Sequence, residues 1–160
     1  MTGQAAEGQD VRQGEVSAVL PPAYDASIYF IGRIRTPFAT RADCPKRGDP
    51  ENGPDCRIDL DPRFAEALTG LDQYDEVAVL YWMSEARRDL VLQRPKHRDR
   101  LIGTFALRSP VRPNPIALSI VRLLAIDGPT LTVRGLDCID GTPVIDIKPE
   151  ITGGRKRCDE

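Results

Sequence analysis

A chain of 160 residues with 41% hydrophobic and 29% charged residues has the length and composition of one globular domain. That excludes a large multidomain machine and wholesale disorder. The formal net charge is −2, so any grip on a polyanion must come from a local patch and not from the chain as a whole. No apolar run approaches the ~20 residues that cross a bilayer, and the first residues, MTGQAAEGQD, lack the basic and apolar blocks of a signal peptide. A cytoplasmic protein with no membrane association is expected.

Residues 1–26, rich in Gly, Gln, Ala and Glu without sustained periodicity, read as a disordered leader. The β-branched and aromatic run Ile28 to Ile34 predicts a first strand ended by Thr36-Pro37. A loop over 41–55 follows, in which Pro45, Gly48, Pro50, Gly53 and Pro54 forbid regular structure. Loops of that length in compact domains are usually functional or disordered. Asp61-Pro62, then RFAEAL, then Gly70 match a cap, a proline at the first helical position and a glycine stop. A short helix with Phe64, Ala65 and Leu68 inward is expected. Glu76 to Met83 is nearly continuously apolar, as in a strand buried on both faces. Further strands are predicted at 102–107, 118–126, 131–136 and 143–147, with turns at Asp127-Gly128-Pro129 and Asp140-Gly141. Closely spaced strands with little room for crossover helices indicate an all-β dominated fold, a small antiparallel β-barrel with one or two short helices. The barrel domain is assigned to 27–150 and a flexible tail to 151–160.

Cys44, Cys56, Cys138 and Cys158 form no C-x-x-C pair, and His97 is the lone histidine, so a zinc cage, a Cys-His pair and a Ser-His-Asp triad are poorly supported. Free thiols and no metal are expected. Between Arg87 and Arg112 eight basic residues stand against two acidic ones, a local net charge of +6. By itself such a run is usually a solvated face.

Two segments carry chemistry. In GTFALRSPVRPNPIALS, residues 103–119, Pro110, Pro113 and Pro115 stiffen an extended loop, on which Arg108 and Arg112 would project to one side about 13 Å apart at full stretch. Two convergent guanidiniums suit a carboxylate or phosphate, although pairing with the chain's own acids is an equal reading. In LDCIDGTPVIDIK, residues 136–148, Asp137, Asp140 and Asp146 surround a Gly-Thr-Pro turn. Acids there can hold an ammonium or a ribose diol, and Gly141 permits close approach of a flat base. Plain turn chemistry accounts for the same residues.

Together, ALRSPVRPNPIALS and LDCIDGTPVIDIKP resemble the TsaA-like domain of the TrmO family, whose pattern reads ATRSPxRPNPIGLS and D-x-x-DGTPxxDIKP. IGRIRTPF at 31–38 is similar to the family's opening strand, and the likeness spans about 28–150. The resemblance implies a small β-barrel methyltransferase dependent on S-adenosyl-L-methionine (SAM). It further implies a homodimer with the cofactor near the interface, and tRNA as substrate, methylated at the exocyclic nitrogen of threonylcarbamoyl-adenosine beside the anticodon. A methyltransferase of a small molecule and a non-catalytic SAM-binding protein are the alternatives. Carried over position by position, the implied cofactor residues are Pro45, Lys46, Arg47, Met83, Ser84, Arg108, Leu118, Cys138, Ile139, Asp140 and Gly141. SAM offers a carboxylate to a guanidinium, an ammonium to an aspartate and a sulfonium to an aromatic face such as Tyr81, Trp82 or Phe105.

Because methyl transfer is an in-line displacement, most of the rate comes from positioning. A protonated ureido nitrogen still profits from a carboxylate base, for which Asp140 is the candidate. Substrate contacts are assigned to Arg112 and Asn114, and to Arg94, Lys96, Arg98 and Arg100, which would neutralise anticodon-stem phosphates in place of the C-terminal domain found in long bacterial members. The sequence departs from the family pattern at Ser84, Ala117 and Glu150, and in the Pro45-Lys46-Arg47 loop.

Overall fold

The structure, a computed structural model, describes residues 11–152. Nine strands account for most of its regular structure: β1 (Val16–Ser17), β2 (Gly32–Arg35), β3 (Asp55–Leu60), β4 (Glu76–Trp82), β5 (Leu90–Gln93), β6 (Ile102–Gly103), β7 (Ile116–Asp127), β8 (Thr130–Arg134) and β9 (Pro143–Pro149). Three short 3-10 segments, Pro62–Leu68, Leu71–Gln73 and Thr104–Ala106, supply the helical content among the described residues. The chain divides into two compact units. One comprises Ile28–Trp82 and the residues from Leu118 onward; the other comprises Met83–Ala117 and the described part of Met1–Ser27.

The larger unit is a closed barrel of strand order β2-β3-β8-β7-β4-β9. Antiparallel pairing joins its strands, as in Ile34 opposite Ile58 and Val79 opposite Ile147. Alternation along β3 sends Cys56, Ile58 and Leu60 inward, where they meet Ile34, Val121, Leu131 and Val133 in a core closed to solvent. Each fully buried Ile or Val contributes about 1.5–3 kcal/mol. Strand β4 is buried at Val77, Ala78, Val79 and Tyr81, so both its faces are covered, as its apolar run requires. The β7–β8 hairpin turns at Gly128, whose φ is 54°.

The first barrel strand begins later than its apolar sequence suggests. Pairing starts at Gly32, and Ile28, Tyr29 and Phe30 are exposed. Phe30 instead packs at a tilt against Trp82, with centroids 6.3 Å apart and the Arg33 guanidinium 5.9 Å from its ring. The Asp61 cap is as expected, its carboxylate accepting from Arg63 N at 3.0 Å, but the turn it opens is 3-10 and not α-helical.

The smaller unit holds a three-stranded sheet of order β1-β5-β6. Its β1 lies inside the segment read as a disordered leader. Val16 pairs with Leu92, Glu15 Oε1 accepts from Arg94 N at 2.8 Å, and Arg12 Nη1 donates to Arg94 O at 2.6 Å, so residues 12–17 are ordered by distant partners in β5 and just beyond it. The first ten positions of that expected leader, and most of the expected tail, lie outside the described residues. The strand predicted at 102–107 stops at Gly103 and becomes the Thr104–Ala106 turn.

Candidate functional site

In the barrel unit, the segment from Asp137 to Thr142 is stitched to residues 34–38. Gly141 N donates to Ile34 O at 2.8 Å, Thr36 Oγ1 donates to Cys138 O at 2.9 Å, and Asp140 N donates to Phe38 O at 2.8 Å. The Asp140 carboxylate takes part: its Oδ1 accepts from Thr36 N at 3.1 Å and its Oδ2 lies 3.9 Å from Arg35 Nη1. Gly141 has φ 80°, and a Cβ there would meet nothing within 4 Å, so this face of the turn is open to a flat ligand.

The long proline-rich loop is brought to the same place. Gly48 N donates to Asp137 Oδ2 at 3.2 Å, and a Cβ at Gly48 would lie 1.7 Å from Gly135 O. Asp137 Oδ1 accepts from the Tyr81 phenol at 2.8 Å, and Ser119 Oγ lies 2.9 Å from that phenol. Burial, reinforced by the negative charge of Asp137, pushes the Tyr81 phenol far above the usual tyrosine range and keeps it a donor. Asp137 thus clamps the loop bearing Pro45, Lys46 and Arg47, all exposed, beside the segment bearing Cys138, Ile139, Asp140 and Gly141. Seven of the eleven cofactor residues implied by the resemblance fall in this one clamped region. Leu118, 43% exposed at the start of β7, belongs to the same unit.

Cys138 is buried, and burial pushes its thiol up to about 12, so it stays protonated. Cys44, Cys56 and Cys138 form no disulfide among the described residues, and no cluster of metal-ligating side chains occurs among them.

The remaining sequence candidates lie in the smaller unit. Met83 N donates to Pro115 O at 2.9 Å, tying this residue to the proline loop, and Ser84 is exposed. Arg108 is exposed and makes no ion pair among the described residues. Arg112 folds back on its own loop, its Nη2 donating to Thr104 O at 3.2 Å and Leu107 O at 3.0 Å. The two arginines therefore have different surroundings, and neither pairs with an acid among the described residues. Arg94 is spent on structure, bonding Gln13 O at 3.0 Å and Asp99 at 2.9 Å. Lys96, Arg98 and Arg100 are exposed and without ion pairs among the described residues. Asn114 accepts from Arg88 Nη2 at 3.2 Å.

Sequence reasoning offers Asp137 as a ligand acid and Tyr81 as an aromatic face; it misses their role, with Gly48, in building the clamp. The first aspartate of D-x-x-D-G and an isolated hydroxyl in an apolar strand are the signals that point to two of them.

The fold is thus a small closed six-stranded antiparallel β-barrel with a loop clamped beside an Asp-Gly turn. A family profile described as the tRNA-methyltransferase O N-terminal domain matches residues 33–153. The chain belongs to this TrmO family, a family of SAM-dependent methyltransferases. A probable S-adenosyl-L-methionine-binding protein, VirR of Rhizobium radiobacter, is 46% identical over 140 residues, covering 88% of this chain and 79% of the relative. The putative S-adenosylmethionine-dependent methyltransferase RcsF of Pseudomonas aeruginosa is 38% identical over 133 residues, covering 78% of this chain and 57% of the relative. The crystal structure of TrmO from P. aeruginosa superposes with a TM-score of 0.66 at 32% identity, covering 86% of this chain. This chain spans 60% of that TrmO chain.

Proposed function

We propose that this protein binds SAM at the clamped region and methylates the exocyclic nitrogen of threonylcarbamoyl-adenosine in tRNA. The observation that carries the reading is the Asp137 clamp, which joins two segments 89 positions apart into one surface containing most of the family-matched cofactor positions. The residue types present suit the cofactor. Asp140 is a partner for an ammonium, and the open face of Gly141 and the exposed Leu118 side chain for an adenine. When bound, the cofactor supplies an electrophilic methyl group on a positively charged sulfur. The protein's task is then to hold acceptor and donor in line and to exclude water.

Asp140 is the carboxylate assigned to take the acceptor's proton; that its side chain is 44% exposed and contacts Thr36 N and Arg35 supports the reading. The cations Lys96, Arg98, Arg100 and Arg108, which make no ion pairs among the described residues, support a polyanionic substrate such as the anticodon stem-loop. A homodimer, whose partner subunit would add walls to an exposed site, and a cytoplasmic location belong to the same reading.

Incubation with methyl-labelled SAM and tRNA carrying unmethylated threonylcarbamoyl-adenosine tests it. Label in that nucleoside supports the proposal. SAM binding by calorimetry with no transfer to tRNA overturns the substrate assignment, and absence of SAM binding by folded protein overturns the whole. Asp140→Asn is expected to turn over slowly even at saturating SAM; a parent-like rate at saturation removes the acceptor role.

A further inference from the structure

In the smaller unit the Thr104–Ala106 turn presents Phe105 to solvent, its residue surface 84% exposed. A single exposed ring is ordinary on a protein surface; the frame that holds this one is not. The turn beneath it is firmly built. Thr104 Oγ1, on a residue 2% exposed, donates to Leu90 O at 2.7 Å and accepts from Gln93 Nε2 at 2.7 Å. The same Gln93 amide donates to Val111 O at 2.7 Å. On the other side, Arg112 bridges the carbonyls of Thr104 and Leu107, which flank the turn. Phe105 is therefore held out on a rigid frame instead of hanging from a loose loop.

The ring is one wall of a cleft of about 330 Å³, lined also by Arg112, Pro113, Asn114 and Ile116. That volume is at the small end of ligand sites. Asn114 has a fixed polarity there: Arg88 Nη2 occupies its Oδ1 at 3.2 Å while Arg88 Nε holds Pro113 O. The amide N–H groups of Asn114 remain to be offered to a ligand. Arg108, Lys96, Arg98 and Arg100 of the same unit are exposed cations without ion pairs among the described residues. A flat aromatic face, an amide donor and surplus positive charge are the features that capture an unpaired base on a polyanionic strand. A second copy docking through the same face would set these cations against their own equivalents across a two-fold axis, which is unfavourable.

We propose that Phe105 stacks an unpaired nucleobase of the RNA substrate. In this arrangement Asn114 donates to an acceptor on the base edge, and Arg112 is a positioning residue that holds the ring's turn. The inference rests on RNA being the substrate and names how one of its bases is gripped.

The test uses the full chain and an anticodon stem-loop RNA with 2-aminopurine placed in turn at each loop position. One position is expected to show fluorescence quenching on binding. Phe105→Ala should abolish that quenching and weaken binding roughly tenfold to a hundredfold, Phe105→Trp should keep both, and Phe105→Leu should abolish the quenching. Urea midpoints of all three should match the parent, since the ring is exposed. Failure of the unaltered protein to bind the stem-loop overturns the RNA reading and stacking with it. Binding and quenching by Phe105→Ala equal to the parent overturn stacking alone and leave the RNA reading standing. Sedimentation in which Phe105→Ala turns a dimer into a monomer overturns stacking too, by assigning the ring to an interface between copies.

Discussion

The phenol of Tyr81 donates to Asp137 Oδ1 at 2.8 Å, and the other oxygen of that carboxylate accepts from the backbone of Gly48 at 3.2 Å. One buried strand thereby sets the position of a loop that is more than thirty residues earlier in the chain. Tyr81→Phe removes the donor and leaves a charged acceptor short of a partner. The expected cost is about 1–3 kcal/mol, read as a lower urea midpoint at unchanged slope. Asp137→Asn retains the shape but reverses hydrogen-bonding polarity at one of the two oxygens. It is expected to raise the apparent Kd for SAM more than it lowers the urea midpoint, because the loop is released while the barrel core is untouched.

The same phenol makes a pH prediction. Burial and the adjacent Asp137 raise the Tyr81 pKa above its unfolded value, so the folded chain keeps a proton that the unfolded chain releases. The associated stability is whole below about pH 10 and declines progressively above it. Ultraviolet difference titration is expected to show Tyr81 remaining a phenol until the chain unfolds. Tyr81→Phe should flatten the alkaline fall in the urea midpoint; an identical fall in both proteins would assign it elsewhere.

Gly48→Ala is expected to be severe for a loop position. The added Cβ would lie 1.7 Å from Gly135 O and 2.5 Å from Gly135 C, both backbone atoms that cannot swing away. The loop must lift, breaking its bond to Asp137. A decrease of about 1–3 kcal/mol in stability, with markedly faster proteolysis within 41–54 than in the parent, is the expected result. Gly103→Ala, where an added Cβ meets nothing within 4 Å, serves as the matched control and should cost far less.

These relationships also show what the sequence makes legible. The apolar run of β4, the Asp61-Pro62 cap and the turns at Gly128 and Gly141 are local signals, and local physics decides them. Strand β3 carries clean alternation at Cys56, Ile58 and Leu60 but follows directly on a proline-rich loop, which masks it. Strand β5 is four residues inside a basic stretch, and β1 is two residues whose order comes from Leu92 and Arg94. No window of sequence contains those partners. The same holds for the site. The hairpin and loop motifs are readable, whereas the clamp between them is a tertiary contact. Arg112 reads as a ligand group in the sequence because nothing local reveals that its guanidinium turns back to Thr104 and Leu107.

Among the four cations assigned from sequence to tRNA phosphates, Arg94 stands apart. Its side chain bonds Gln13 O and Asp99, and its backbone anchors Arg12 and Glu15, whereas Lys96, Arg98 and Arg100 are exposed and make no ion pairs among the described residues. Removal of Arg94 should therefore loosen the N-terminal strand, and removal of the other three should weaken the grip on RNA. Each of Lys96→Ala, Arg98→Ala and Arg100→Ala is expected to reduce the slope of log affinity against log salt by about 0.7–0.9 for every phosphate left without its cation, with an unchanged urea midpoint. Arg94→Ala is expected to leave that slope nearly intact and to increase hydrogen exchange in residues 12–17. Equal slopes for all four variants and the parent would show that the basic stretch does not meet the phosphates. A slope change in Arg94→Ala as large as in the other three would show that its bonds to Gln13 and Asp99 yield to RNA.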